Sequence, residues 1–273
     1  MPAGRRPARL FEIDVKKHLP TAFICLVVAA AAAFVLSVHV RRVKTRPVEE
    51  GVSPAAGKIC VMPIGEVSQS DVSFARDVVD ASFGREALVS EPLPLQEAYY
   101  YPERDQYGAN GFLRYVEANA PRGAYRAVGI TAQDIFAGDL NFLFGVGRCP
   151  GKCAVVSTYR VGFYGAAPER RTVRFAKLVV HESGHTFGLL HCRQPLCIMK
   201  FAVGYETLDH TRLALCARCE RSLCAVTALD AAERRAKLEE VMKKYGLWEE
   251  VGGAQGLAPP PAPADPSPEK LLP

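Results

Sequence analysis

The chain has 273 residues, of which 49% are hydrophobic and 23% charged, and its formal net charge is +5. This balance permits a packed core and excludes a wholly disordered chain. Residues 1–46 carry nine Lys or Arg against two acidic residues, whereas the remainder carries 25 Lys or Arg against 27 acidic residues. The positive charge therefore belongs to the N-terminus. A near-neutral remainder lacks the basic stripe needed to bind nucleic acid.

The N-terminal region predicts a membrane anchor. Residues 1–20 are basic, and residues 21–40 contain no Asp, Glu, Lys or Arg. At a rise of 1.5 Å per residue, such a segment spans about 30 Å, the thickness of the hydrocarbon core. We expect a single-pass transmembrane helix at 21–40 and a linker at 41–57. A cleaved signal peptide is the alternative, but the apolar run exceeds a normal signal core and no small-x-small site follows it.

Strand-like and helix-like patterns alternate over residues 58–250, which predicts one folded α/β domain. The predicted strands are 58–64, 87–90, 127–130, 140–144 and 154–161. The predicted helices are 71–83, 108–119, 171–189 and 229–245. Residues 251–273 are rich in Pro, Gly and Ala, so we expect a disordered tail there.

The predicted helix 171–189 carries a metal-binding pattern. His181 and His185 stand at i and i+4 on one helix face, so both imidazoles can reach one metal ion, as in HExxH sites. Glu182 lies beside that metal, where a general base for an activated water belongs. Gly188 can end the helix and turn the chain, so that His191 supplies a third ligand. Three histidines leave one position open, as in catalytic zinc sites.

A second pattern is formed by cysteines. Five of the nine cysteines fall between Cys192 and Cys224, and Cys216 and Cys219 form a CxxC pair. With Cys192 and Cys197, this pair matches a tetrahedral structural zinc site. The alternative is a thiol-redox sensor, which predicts disulfides in place of zinc.

Together these residues resemble the archaemetzincin family of metzincin-clan zinc metalloproteases. Its members carry HExxHxxGxxHC, then four residues, CxM, a spacer of about 17 residues and CxxC. The matching residues are His181, Glu182, His185, Gly188, His191, Cys192, Cys197, Met199, Cys216 and Cys219. The spacer after Met199 is one residue shorter here. The resemblance covers residues 58 to about 224, and it leaves out the apolar segment, the tail and the Cys149/Cys153 pair.

The resemblance implies a zincin-like or metzincin-like α/β (α+β) fold, in which a mixed sheet packs on the HExxH helix of a single catalytic domain. It also implies two zinc ions per chain. His181, His185 and His191 would bind the catalytic zinc, and Cys192, Cys197, Cys216 and Cys219 the structural zinc. Glu182 would activate water, and Met199 would be the Met-turn residue beneath the catalytic metal.

We therefore expect a membrane-anchored zinc metallopeptidase that hydrolyses peptide or protein substrates, with Glu182 as general base. Substrate would pair with the predicted strand 154–161 by β-augmentation. A zinc-bound, non-catalytic peptide-binding module is the main alternative. Tyr205 is a candidate to stabilise an oxyanion.

Basic residues flank segment 21–40 on both sides, so charge does not decide its orientation. A four-cysteine zinc site persists most easily in a reducing cytosol, which favours a cytosol-facing domain. For Cys149 and Cys153, a disulfide and a metal site both remain open. Cys224 is expected to be a free thiol.

Overall fold

The computed structural model describes residues 57–227 and 229–260, which lie in one compact unit. The strands of the described residues are β1 (Ile59–Ile64), β2 (Ala87–Val89), β3 (Tyr100–Tyr101), β4 (Gln106–Gly108), β5 (Arg126–Thr131), β6 (Ile135–Phe136), β7 (Gly145–Gly147) and β8 (Cys153–Ser157). Their α-helices are α1 (Gln69–Phe83), α2 (Ala109–Asn119), α3 (Pro168–Thr186), α4 (Tyr205–His210), α5 (Ala217–Thr227), α6 (Ala231–Lys244) and α7 (Gly253–Leu257).

The main sheet has five strands in the order β2-β1-β5-β8-β7. The first four pair in parallel, while β7 pairs antiparallel with β8 and forms the edge of the sheet. Strands β1 and β8 are buried along their whole length, as expected for parallel strands covered on both faces. Strands β3, β4 and β6 form a separate small sheet.

Helices cover both faces of the main sheet. Alternate side chains of β1 point to opposite faces, so Ile59 and Val61 pack in a core with α1 and α3. Cys60 and Met62 pack instead in a second core with Phe112 and other side chains of α2. The predicted mixed sheet packed on the HExxH helix is confirmed.

Most predicted elements are present with shifted ends, but two strand predictions need correction. The strand expected at 140–144 starts only at Gly145, and residue Leu143 forms just an isolated bridge to Ile135. The strand expected at 154–161 ends at Ser157 because its hydroxyl accepts the N–H of Tyr159 and turns the chain. Helices α4 and α5 were not predicted, since α4 has only six residues and α5 lies in the stretch that was interpreted through its cysteines.

The prediction of a disordered tail from residue 251 is wrong for its first residues. Residues Gly253–Leu257 form α7, and both Val251 and Leu257 are buried in the core that contains α1 and α3. Burial of these two apolar side chains explains why this Gly-rich segment folds.

Predicted segments 1–20, 21–40 and nearly all of linker 41–57 lie outside the described residues, as does 261–273. Within 57–227 and 229–260, no helix combines the length and apolar character needed to cross a membrane.

Candidate active site

Helix α3 and the turn after it bring three imidazoles together. His181 and His185 lie on the same face of α3, with ring centroids 4.8 Å apart. The helix ends at Thr186, and Gly188 adopts a φ of +87°, a conformation that side chains other than glycine rarely tolerate. This turn places the His191 ring 4.8 Å from that of His185. One ring nitrogen from each of the three predicted ligands lies within 4.8 Å of the others.

Backbone carbonyls fix the orientation of the two helical imidazoles. Nδ1 of His181 donates to the Ile198 carbonyl at 2.7 Å, and Nδ1 of His185 donates to the Leu189 carbonyl at 2.6 Å. A carbonyl oxygen only accepts, so Nδ1 carries the proton in both rings and Nε2 is a lone-pair acceptor. Metal-binding histidines commonly donate their other ring N–H to a backbone carbonyl in this way.

The two Nε2 atoms face each other at 3.2 Å with no proton to share. Two lone pairs at this distance repel, and a cation bound by both removes the conflict. Tetrahedral zinc holds imidazole nitrogens at about 2.1 Å, which places them about 3.4 Å apart. The His181–His185 pair therefore fits a zinc ion.

The charge state of the histidines also suits a metal. Burial, followed by the neighbouring His185, lowers the pKa of His181 to about 3. Burial lowers the pKa of His185 and His191 as well. Neutral imidazole is the form that binds metal, so no proton has to leave His181 at neutral pH.

Glu182 is buried in the same cavity. Burial raises the pKa of its carboxyl to about 8, so the metal-free protein holds it largely protonated at pH 7. A bound dication would favour the carboxylate and lower this pKa. A carboxyl group whose pKa is displaced toward neutrality is suited to both accepting and donating a proton.

The cavity beside these residues has a volume of about 200 Å³. One wall is α3, with Lys177, His181 and Glu182, and the opposite wall is the edge strand β7. Tyr205 is not part of this lining; its hydroxyl donates to the Arg160 carbonyl at 2.9 Å. The structure therefore does not support Tyr205 as an oxyanion donor.

The four predicted cysteine ligands also meet. All four are buried, and their Sγ atoms lie within 4.8 Å of one another. Cys192 Sγ and Cys216 Sγ are 3.8 Å apart, far longer than the 2.05 Å of a disulfide bond. Thiolates around tetrahedral zinc at about 2.3 Å lie about 3.8 Å from one another. The spacing fits a metal site and not the disulfides that a redox sensor predicts.

Hydrogen bonds polarise this cluster. The Cys219 thiol and the backbone N–H of Cys216 stabilise the Cys197 thiolate and lower its pKa to about 5. Burial raises the pKa of Cys216. Arg218 lies at the rim, with Nη2 3.6 Å from Cys192 Sγ, and adds a positive charge beside the thiols.

Met199 lies at the junction of the two clusters. Met199 is fully buried. A Cβ atom added to Gly184 would lie only 2.9 Å from the Met199 sulfur, so the two residues are closely packed. The Met199 carbonyl accepts the N–H of Cys192 at 2.7 Å, and Cys192 directly follows His191. One loop therefore contacts both groups of predicted ligands.

The remaining cysteines of the described residues are free thiols. Cys153 is buried in β8, and the Cys149 thiol donates to the Leu189 carbonyl at 3.5 Å. The two cysteines are not joined, and within the described part of the chain neither belongs to a metal-binding group. Cys224 is partly exposed and forms no disulfide with another described cysteine.

The sequence did not identify the other side chains that line the cavity, among them two lysines and an aromatic residue. Lys177 precedes His181 by one helical turn, and Lys200 and Phe201 follow Met199. Phe201 packs on the His191 ring, with centroids 4.9 Å apart. The one available signal was that Lys177 and His181 stand at i and i+4 on α3.

Comparison with known proteins points to one family. A family model described as Peptidase family M54 matches residues 123–225. An archaemetzincin from Haloarcula marismortui is 33% identical over 170 residues, which cover 60% of this chain and 97% of that protein. An archaemetzincin from Methanopyrus kandleri is 39% identical over 130 residues, which cover 47% of this chain and 72% of that protein.

Solved structures show the same similarity. The crystal structure of archaemetzincin from Methanopyrus kandleri matches with a TM-score of 0.57 and 32% identity, covering 65% of this chain and 99% of that one. Archaemetzincin from Archaeoglobus fulgidus, solved as a complex with malonate, matches with a TM-score of 0.54 and 28% identity, covering 60% and 99%. The mixed α/β fold, the paired ligand clusters and these similarities together show that the chain belongs to the archaemetzincin family of zinc metallopeptidases.

Proposed function

We propose that this chain hydrolyses peptide bonds in the cavity between α3 and β7, with His181, His185 and His191 holding a catalytic zinc and Glu182 as general base. The observation that carries the proposal is the pair of facing Nε2 atoms, 3.2 Å apart. Because each Nδ1 proton is committed to a carbonyl, both nitrogens are ready to bind a metal without rearrangement.

Zinc bound at this site supplies Lewis acidity, which polarises the scissile carbonyl and makes a water molecule acidic enough to attack near neutral pH. Glu182 accepts a proton from the attacking water and then donates it to the leaving amine. Burial of Glu182 beside the zinc site keeps its proton affinity between that of an ordinary carboxylate and that of an amine. The Ile198 and Leu189 carbonyls hold the two imidazoles in one orientation throughout.

The substrate is proposed to pair with β7 and not with the strand 154–161 expected from the sequence. Strand β8 lies between β5 and β7, so its backbone is already paired on both sides. Strand β7 is the edge of the sheet and lines the cavity with Gly145, Val146 and Gly147. An extended peptide can add to this edge as a further strand.

We also propose a second, structural zinc held by Cys192, Cys197, Cys216 and Cys219, which gives two zinc ions per chain. The 3.8 Å spacing between Cys192 and Cys216 supports it. This site stabilises the loop that ends in Met199 and thereby the position of His191.

Replacing Glu182 tests the hydrolytic mechanism. Glu182→Gln keeps the size of the side chain but removes the proton acceptor, so peptide cleavage is expected to fall by about 100-fold or more. Zinc content, measured by plasma mass spectrometry, should stay the same. Glu169→Gln, an exposed position in the first turn of the same helix, is the matched control and should cleave like the wild type.

Undiminished cleavage by Glu182→Gln would refute the mechanism. A wild type that binds peptides but cleaves none of a broad library, with or without 1,10-phenanthroline, would support the non-catalytic module instead.

For residues 21–40 we propose a membrane anchor, with the catalytic domain facing the cytosol. The support is the absence of Asp, Glu, Lys and Arg over twenty residues, together with the need of four thiolates for a reducing compartment. Retention of the full chain in carbonate-washed membranes, and its release after deletion of 21–40, is the expected result.

A further inference from the structure

Lys177 is a buried cation in the wall of the cavity. It lies one turn before His181 on α3, and only 6% of the residue is exposed. Its Nζ donates to the carbonyls of Leu208 at 3.0 Å and Asp209 at 3.1 Å. Among the described residues, no ion pair includes Lys177, and the Asp209 carboxylate is held by Arg174 at 2.6 Å.

This arrangement leaves the ammonium group short of an anion. An ammonium has three N–H donors, and the two carbonyls use two of them. Burial lowers the pKa of Lys177 to about 8, although the carboxylates of Asp209 and Glu250 act in the opposite direction. Neither of these carboxylates forms an ion pair with Lys177. A carboxylate that enters the cavity would supply the missing charge and accept the third hydrogen bond.

The surroundings of Lys177 in the cavity are mainly apolar. Leu178, Ile198, Leu208 and Thr211 line it. Each of these residues is buried. In such surroundings an ion pair is stronger than in water, so the cavity can discriminate between a charged group and a neutral group of the same shape. Lys177 also lines a second cavity, which contains the acidic residues Asp209, Glu249 and Glu250.

The direction of the substrate follows from how β7 lies along α3. Gly145 lies against Glu182, and Gly147 lies against His185. A Cβ atom added to Gly145 would be 2.6 Å from Glu182 Cγ, and one added to Gly147 would be 2.8 Å from His185 Cβ. Strand β7 and helix α3 thus run in the same direction past the site. A peptide antiparallel to β7 has its N-terminal part near His185 and its C-terminal part toward Lys177.

We propose that Lys177 selects substrates with a carboxylate on the residue immediately C-terminal to the scissile bond. The carboxylate is either an acidic side chain or the C-terminus of the substrate. This inference rests on the proposed peptidase function and adds the substrate class to it. It makes Lys177 a specificity determinant and not only a support for the end of α4.

The test uses peptides that differ only at the residue after the scissile bond. Glu and Gln are compared there, each with a free and with an amidated C-terminus. The wild type is expected to cleave at least one carboxylate form with a kcat/KM about 10- to 100-fold above the Gln amide form. The form preferred shows whether the side chain or the chain terminus is recognised. In Lys177→Met the preference should fall to about twofold or less.

Lys200→Met is the matched control, because it removes the other lysine of the same cavity. We expect it to retain the carboxylate preference. A thermal denaturation curve and the zinc content of each variant show that it is folded. Lys177→Arg, which keeps a positive charge, should retain more of the preference than Lys177→Met.

Binding separates this inference from hydrolysis itself. In zinc-loaded Glu182→Gln, calorimetry should show tighter binding of the preferred carboxylate peptide than of the Gln amide, and this difference should vanish in Lys177→Met/Glu182→Gln. That result supports carboxylate selection even if the wild type cleaves no peptide. The inference would be overturned if the wild type cleaved and bound the carboxylate and Gln amide peptides equally well. It would also be overturned if Lys177→Met kept the carboxylate preference or if Lys200→Met abolished it.

Discussion

The ion pair between Arg174 and Asp209 provides a quantitative test of how the cavity wall is held. Arg174 lies on α3, and its Nε and Nη2 donate to the two carboxylate oxygens of Asp209 at 2.7 and 2.6 Å. Its Nη1 also donates to the carbonyls of Val161 and Phe163. Because Asp209 is the last residue but one of α4, this pair fixes the helix end whose carbonyls bind Lys177.

The expected size of the effect follows from burial. The Arg174 side chain is 5% exposed and that of Asp209 is 34% exposed. Removing one partner of a fully buried pair costs about 3–5 kcal/mol, because the other charge is left uncompensated. Since Asp209 keeps some contact with water, we expect Arg174→Met to lower the free energy of unfolding by about 3 kcal/mol. Asp209→Asn leaves Arg174 bound to the carbonyls of Val161 and Phe163, so it should cost less, about 2 kcal/mol. The double variant should cost little more than Arg174→Met alone.

Urea denaturation of the four proteins of this cycle measures these values. Arg174 lowers the pKa of the Asp209 carboxyl below its ordinary value. The contribution of the pair is therefore complete above about pH 4 and is lost as the pH falls through the lowered pKa. The difference between wild type and Arg174→Met should shrink accordingly. Additive single effects, or a cost of Arg174→Met below about 1 kcal/mol, would refute the reasoning.

Three further predictions concern the metal clusters and their support. Met199→Ala should lower the free energy of unfolding by about 2–5 kcal/mol, while Met199→Leu, which conserves volume, should cost less than about 1.5 kcal/mol in the same denaturation assay. Gly188→Ala should weaken zinc binding and cost about 1 kcal/mol through backbone strain alone, and Gly188→Asn should cost less, since Asn tolerates positive φ. Cys216→Ser/Cys219→Ser should lower zinc in the full chain from two ions to one or fewer by plasma mass spectrometry; an unchanged value would exclude the four-cysteine site.

The parts of the site that the sequence predicts are those with local rules. His181 and His185 share a face because a helix repeats every 3.6 residues, and Gly188 marks the turn that brings in His191. The CxxC pair is similarly constrained by its spacing. The neighbouring residues in the sequence are enough to predict the role of each of these positions. No knowledge of the fold is needed.

The parts that the sequence does not predict depend on elements that approach from a distance. Lys177 donates hydrogen bonds to carbonyls of α4, which lies about 30 residues later in the chain. The sequence around Lys177 does not indicate this contact. Strand β7 has only three residues, two of them glycine, so no alternating pattern marks it as the edge of the sheet. Its role follows from the order of strands, which pairing across the whole domain determines.

The direct succession of His191 and Cys192 has a consequence for the chemical vulnerability of the molecule. The two residues belong to different clusters, yet a single peptide bond joins them, and the Cys192 N–H is fixed by the Met199 carbonyl. An oxidant that joins Cys192 to Cys216 must shorten their Sγ–Sγ separation from 3.8 Å to about 2 Å. That displacement pulls on the neighbouring imidazole. Oxidation at Cys192 is therefore expected to disturb the histidine site as well as the cysteine site.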